Sequence, residues 1–179
     1  MITHIKNRLN RFRKEDAGAV YTLEFAVLLP LLFMALFFGV ELTTHANRQF
    51  QLDRGLEVTT RIIRLNTAIE YTHDELKQTI CANTGGLEDC ESNMRLELLT
   101  EDLRNYTGLP ARADCTNSPV TVTPVRGWSL GEQHELMLMR ACYEYTPFLA
   151  SIGLGKLLGS GENGKGEMVA ISAFVQEPR

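Results

Sequence analysis

A chain of 179 residues with a net charge of −4 and 44% hydrophobic residues has room for one domain and a membrane segment. The charge is unevenly spread: residues 1–18 hold five Lys/Arg and two Asp/Glu, a balance of +3, which leaves −7 on residues 19–179. An acidic body of that kind argues against a nucleic-acid surface.

Taken in chain order, the first element is an apolar helix over residues 19–40. Only Glu24 is charged there, and nothing is charged from 25 to 40. Such a helix would rise about 33 Å, enough to cross a hydrocarbon core of about 30 Å. Residues 31–40 are apolar around the whole helix and not along one stripe, unlike a surface helix of a soluble fold. Lys6, Arg8, Arg11, Arg13 and Lys14 precede it, while Glu41, His45 and Arg48 follow. Basic flanks stay on the cytoplasmic side, so the N-terminus is expected inside. The apolar run exceeds that of a cleaved secretory signal, and Phe38-Gly39-Val40-Glu41-Leu42-Thr43 offers no A-x-A site. An uncleaved anchor is expected, or a cut on the cytoplasmic side of the apolar run.

Two residues within the span stand out. A carboxylate in lipid costs a few kcal/mol and generally has a partner. Glu24 either snorkels to the cytoplasmic edge or pairs with a positive charge from another chain. Pro30 lacks an N–H and clashes with the carbonyl four residues back, so a kink or local loosening is expected there.

Beyond Val40 the helix is expected to continue to about Leu65. Leu42, Ala46, Gln49, Leu52, Leu56, Thr60 and Ile63 recur at three- and four-residue steps. That stripe would cover a small sheet in the same chain or face a partner helix. Gly55 weakens it by about 1 kcal/mol relative to Ala. Thr72 with Glu75 reads as a capping box opening a short helix, which Asn83-Thr84-Gly85-Gly86 ends. Strands are expected at 95–99, 119–125, Leu136–Tyr145 and 168–176. Met137 and Met139, two apart on a strand, share one face and belong to a core.

Residues 148–158 are apolar enough for a short surface helix. The following Gly159-Ser160-Gly161-Glu162-Asn163-Gly164-Lys165-Gly166 superficially copies a P-loop. Gly166 stands where the Mg²⁺-binding Ser or Thr belongs, and a strand follows in place of a helix, so a loop is the better reading. The resulting order predicts an α+β fold: a long N-terminal transmembrane and amphipathic helix, then a small antiparallel sheet domain. The expected divisions are a cytoplasmic basic leader (1–18), a transmembrane helix (19–40), its extension outside the membrane (41–66) and an exported α+β domain (67–179).

Cys81, Cys90, Cys115 and Cys142 all follow the span. An even number on the exported side reads as two disulfides. Of three connectivities, Cys81–Cys90 with Cys115–Cys142 is favoured because each closes a fairly local loop. A zinc site fits less well: no C-x₂-C spacing occurs, and His73 and His134 show no pairing pattern. The four His residues, including His4 and His45, are scattered, and no nucleophile motif is visible. Nothing in the residues calls for an enzyme, a cofactor or a small-molecule substrate.

Arg11-Phe12-Arg13 followed by Gly18-Ala19-Val20-Tyr21-Thr22-Leu23-Glu24-Phe25-Ala26-Val27-Leu28-Leu29-Pro30 resembles the N-terminus of the TadE-like family. These are pilin-like (pseudopilin) proteins of the bacterial tight-adherence (Tad/Flp) pilus systems. Tyr143-Glu144-Tyr145-Thr146-Pro147 and Phe174-Val175-Gln176-Glu177-Pro178 also look like family features. In processed members a prepilin peptidase cuts after a Gly, and the Glu is the fifth residue of the mature chain. Here a cut after Gly18 makes Glu24 the sixth residue, and a cut after Ala19 makes it the fifth. The new amine would then neutralise Glu24 of a neighbouring subunit.

The resemblance implies a minor pilin or assembly component in the bacterial inner membrane, with its C-terminal domain in the periplasm or in an extracellular pilus. Its partners would be other pilin-like subunits, the Tad machinery and a prepilin peptidase, with no nucleic acid. The alternative is an extracytoplasmic binding module for which the helix is only a tether.

Overall fold

The computed structural model of the chain describes residues 16–66, 69–102, 104, 134–150, 153–159 and 164–177, with side chains from 21 onward. Among the described residues seven elements follow in order: α1 (Asp16–Leu65), α2 (His73–Thr84), α3 (Cys90–Asn93), β1 (Met94–Glu101), β2 (Leu136–Tyr145), α4 (Gly153–Leu158) and β3 (Gly166–Val175). The chain divides into two compact units, Met1–Val40 and Glu41–Arg179.

In the first unit α1 begins at Asp16, three residues before the expected start, and the helix runs through Pro30 without a break. Pro30 withholds one backbone donor from the turn before it. No residue of the apolar window is buried, and Tyr21, Leu23, Phe25, Leu28, Leu32 and Phe37 are all exposed. This helix is long and apolar enough to cross a membrane.

The second unit is built on a three-stranded antiparallel sheet in the order β1-β2-β3. Met94 lies opposite Tyr143, and Leu136 opposite Val175. Side chains alternate across a strand, so Met137, Met139, Ala141, Tyr143 and Tyr145 of β2 share one face. They form a single core with Met94, Leu96 and Leu98 of β1 and with Met168, Ala170 and Phe174 of β3. Leu52, Leu56 and Ile63 of α1 and Leu76 and Ile80 of α2 close it. From Leu52 onward the apolar stripe of α1 is therefore spent within its own chain.

The central strand is buried on its other face as well. There Arg140 pairs with Glu97, its Nε donating to the carboxylate at 2.6 Å, and Glu144 pairs with Lys165 at 3.2 Å. β1 and β3 extend the expected 95–99 and 168–176 by a residue or more at their N-terminal ends. The expected strand at 119–125 lies outside the described residues.

Local chemistry explains the connections. Thr72 caps α2: its hydroxyl oxygen accepts from the Glu75 N–H, while the Glu75 carboxylate accepts from the Thr72 N–H at 2.9 Å. Gly85, at φ 84°, ends the helix in the left-handed conformation that an L side chain resists. A disulfide joins Cys81 to Cys90, tying α2 to the short α3, which the sequence pattern did not announce. Tyr143 donates to the Glu88 carbonyl at 2.7 Å and fastens the same loop to β2.

Gly55 turns out differently from its expected role as a weak point. A Cβ there would stand 2.7 Å from Thr84 Cγ2 and 2.9 Å from the Ile80 carbonyl. Gly55 is where α1 and α2 approach too closely for any side chain.

Candidate functional site

Two groups of residues carry the chemistry of α1. The first is the expected one in the Met1–Val40 unit. Gly18 and Ala19 lie in the first turns of α1, and Glu24 and Pro30 are exposed on it. Around Glu24 the exposed side chains are Tyr21, Leu23, Phe25, Val27 and Leu28. Beside the Tyr21 and Thr22 hydroxyls, Glu24 is the one group on this stretch that offers a neighbour a charge.

The second group lies in the Glu41–Arg179 unit, and the sequence pattern missed it. The apolar stripe was expected to start at Leu42 and Ala46, but both are exposed. The buried face starts one residue earlier, at Glu41, and passes through His45, Arg48 and Leu52. Glu41 is fully buried. Its two carboxylate oxygens accept from the backbone N–H groups of Phe148 and Leu149, each at 3.1 Å. Burying a charge is expensive unless its lone pairs are filled, and two amide donors from the turn after β2 fill them.

Tyr145, at the end of β2, completes the cluster. Its hydroxyl shares a 2.7 Å hydrogen bond with His45 Nδ1, and the Arg48 guanidinium lies 5.0 Å from its ring centroid. Burial pushes the Tyr145 phenol above its ordinary pKa; the Glu41 carboxylate adds to that, and Arg48 opposes it. The phenol therefore stays protonated through the physiological range. Gly166, paired with Tyr145 across β2 and β3, leaves room for the ring, since a Cβ there would collide with it.

The spacing of Glu41, His45 and Arg48 (i, i+4, i+7) was the available signal. It was hidden because these residues read as a hydrophilic flank of the span. Together they clamp the first turns of the unit's helix to the end of β2 and the turn that follows.

The remaining candidates fall out as follows. Cys81 and Cys90 are bonded to each other; Cys142 is disulfide-bonded on β2; Cys115 lies outside the described residues. His73 sits beside Asp74 and the Leu96 carbonyl, and His134 is in the turn before β2, so they are not brought together. Two shallow grooves flank α2, one beside Tyr71 and Glu75 and one beside the Cys81–Cys90 disulfide, and neither is lined by a His. No family model, no curated protein and no solved structure matches this chain.

Proposed function

We propose that this protein is a pilin-like minor subunit or priming component of a Tad-type pilus apparatus in a bacterial inner membrane. Residues 19–40 span the membrane once with the N-terminus in the cytoplasm, and the Glu41–Arg179 unit stands in the periplasm. The observation that carries this reading is the apolar part of α1. No residue of its apolar window is buried, and one carboxylate, Glu24, stands among its apolar side chains. Lipid satisfies the hydrocarbon; a charge from another subunit satisfies Glu24. The resemblance of residues 11–30 to TadE-like N-termini supplies the identity of those subunits, and a cut after Gly18 or Ala19 supplies the amine.

The span holds no G-x-x-x-G, so lateral association relies on Glu24 and on side-chain packing more than on close backbone approach. The test is Glu24→Gln in the producing bacterium. Membrane insertion should be unchanged, while co-assembly with other pilin-like subunits and pilus formation fall sharply. Normal pili from that variant would remove the role given to Glu24.

A second reading keeps one observation in its favour. The Glu41–Arg179 unit closes a core of its own, so the apolar segment could serve as a tether alone. The intact mass of the protein taken from membranes separates the two. Loss of residues 1–18 or 1–19 belongs to the pilin route, and a tether has no use for it.

A further inference from the structure

Among the described residues β3 pairs with β2 alone, which leaves its other side an open sheet edge. Backbone groups along an antiparallel strand point alternately toward one neighbour and away from it. The Gln176 N–H donates to the Glu135 carbonyl at 3.1 Å, so the even-numbered positions face β2. The odd-numbered ones, Glu167, Val169, Ile171, Ala173 and Val175, turn their N–H and C=O groups outward. Their side chains are exposed on the sheet face opposite Met168, Ala170 and Phe174, which enter the core. An edge of this kind is a template for another chain unless charge, proline or a covering group blunts it. β1 carries Arg95, Glu97 and Glu101 in the corresponding row. β3 has no Lys, Arg or Pro, and four apolar side chains follow Glu167 in its outward row. One outward acceptor is nevertheless taken. Gln49 of α1 donates its Nε2 to the Val169 carbonyl at 3.1 Å, and to Asp53 Oδ1 at 3.1 Å. A strand joining the sheet would lie about 4.8 Å beyond β3, in the space that the Gln49 amide fills.

We infer that Gln49 is an edge guard: it keeps β3 from pairing with β3 of a second copy of this chain. Charge names the occupant that it excludes. Antiparallel pairing about a twofold axis at Ile171 sets Val169 against the copy's Ala173 and Lys165 against its Glu177, and the symmetry repeats both matches at the other end. One step further along, Glu167 would meet Glu177, like charge on like. The edge therefore complements itself in the register centred on Ile171. In that register the Val169 carbonyl must accept from the copy's Ala173 N–H, and it is the acceptor on which Gln49 sits. Asp53, one turn further along α1, accepts from the same amide and keeps it there.

The test uses the full chain in detergent micelles, as an equal mixture of isotopically light and heavy protein with benzoylphenylalanine in place of Ala173. After illumination, mass spectrometry counts mixed light–heavy adducts, which join two copies and not one chain to itself. Adducts from position 173 to residues 167–175 of the other copy should rise roughly fivefold in Gln49→Ala, the worth of one hydrogen bond. Gln49→Leu, which keeps the volume and lacks the donor, should behave alike and serves where Gln49→Ala does not fold. Adding Ile171→Lys should abolish the gain, because it sets two like charges face to face at the axis. No gain in a folded Gln49 variant would overturn the guard. So would a gain that survives Ile171→Lys, or mixed adducts that map outside residues 167–175 and so assign the contact to another surface.

Discussion

Leu32 is 62% exposed and Leu52 is fully buried, yet both sit on α1. Between Tyr21 and Val40 the helix carries one charged residue, Glu24, and no residue of its apolar window is buried. Between Glu41 and Leu65 apolar residues recur at three- and four-residue steps with charged residues between them, and the recurring side enters the core. The two regions share a backbone and differ only in how side chains are distributed around it. A stripe can be satisfied by one sheet from the same chain. A surface that is apolar all round needs surroundings that are apolar all round, which a small domain cannot supply.

The difference is sharpest for a truncation of the same residue type in each region. Leu56→Ala should lower the stability of the Glu41–Arg179 unit by about 3 kcal/mol through the cavity it opens, whereas Leu32→Ala should leave it unchanged. Urea unfolding of the full chain in detergent micelles, followed by circular dichroism, checks both. Equal losses would mean that the apolar segment also contributes to the core.

Glycine gives the next contrast. Gly39 has nothing within 4 Å of a built Cβ, while Gly55 faces Thr84 and the Ile80 carbonyl. Helix propensity alone favours Ala at both. Gly55→Ala should instead destabilise the unit by about 2 kcal/mol, because an overpacked contact outweighs a propensity gain of about 1 kcal/mol. Gly39→Ala should be neutral for that unit. A stabilising Gly55→Ala in the same unfolding experiment would contradict the close approach of α1 and α2.

The two glutamates divide in the same way. Glu41→Gln keeps an oxygen for one amide but presents an NH₂ toward the other, and should cost the unit about 1–2 kcal/mol. Glu24→Gln should cost it nothing, since Glu24 belongs to the other unit. The smallest effect is a pH dependence confined to α2. Hydrogen bonds from the Thr72 N–H and hydroxyl hold the Glu75 carboxyl below its ordinary pKa. That contribution is therefore present above the unfolded-chain value and is lost as the pH falls through the lower folded value. Amide protection in the first turn of α2, taken relative to the intrinsic exchange rate at each pH, should fall on acidification below the ordinary carboxylate range, and Glu75→Gln should remove that dependence.

Much of the layout was legible because local rules and the fold agree. The capping box at Thr72 and Glu75, the left-handed Gly85, and the strand alternation around Met137 and Met139 are short-range signals, and each is present. The misreadings share a cause: they depend on what a residue meets from far along the chain. Glu41 read as a solvated flank because its amide partners are more than 100 positions away. Gly55 read as a defect because Thr84 and Ile80 belong to another helix. The stripe was placed one residue late because the first turns of the buried face are polar, held by a carboxylate and an imidazole where the pattern sought hydrocarbon.

We propose that the apolar half of α1 is a subunit-pairing element keyed by Glu24, while the apolar stripe of its amphipathic half packs into the chain's own core from Leu52 onward. The most direct measurement places a photo-crosslinking amino acid at Val27, and separately at Leu52, in cells that make the protein with its partners. The account predicts covalent adducts with another subunit from position 27 that disappear when Glu24→Gln is added, and only intrachain products from position 52. Adducts from position 27 that persist with Glu24→Gln, or none at all beyond lipid, would contradict it.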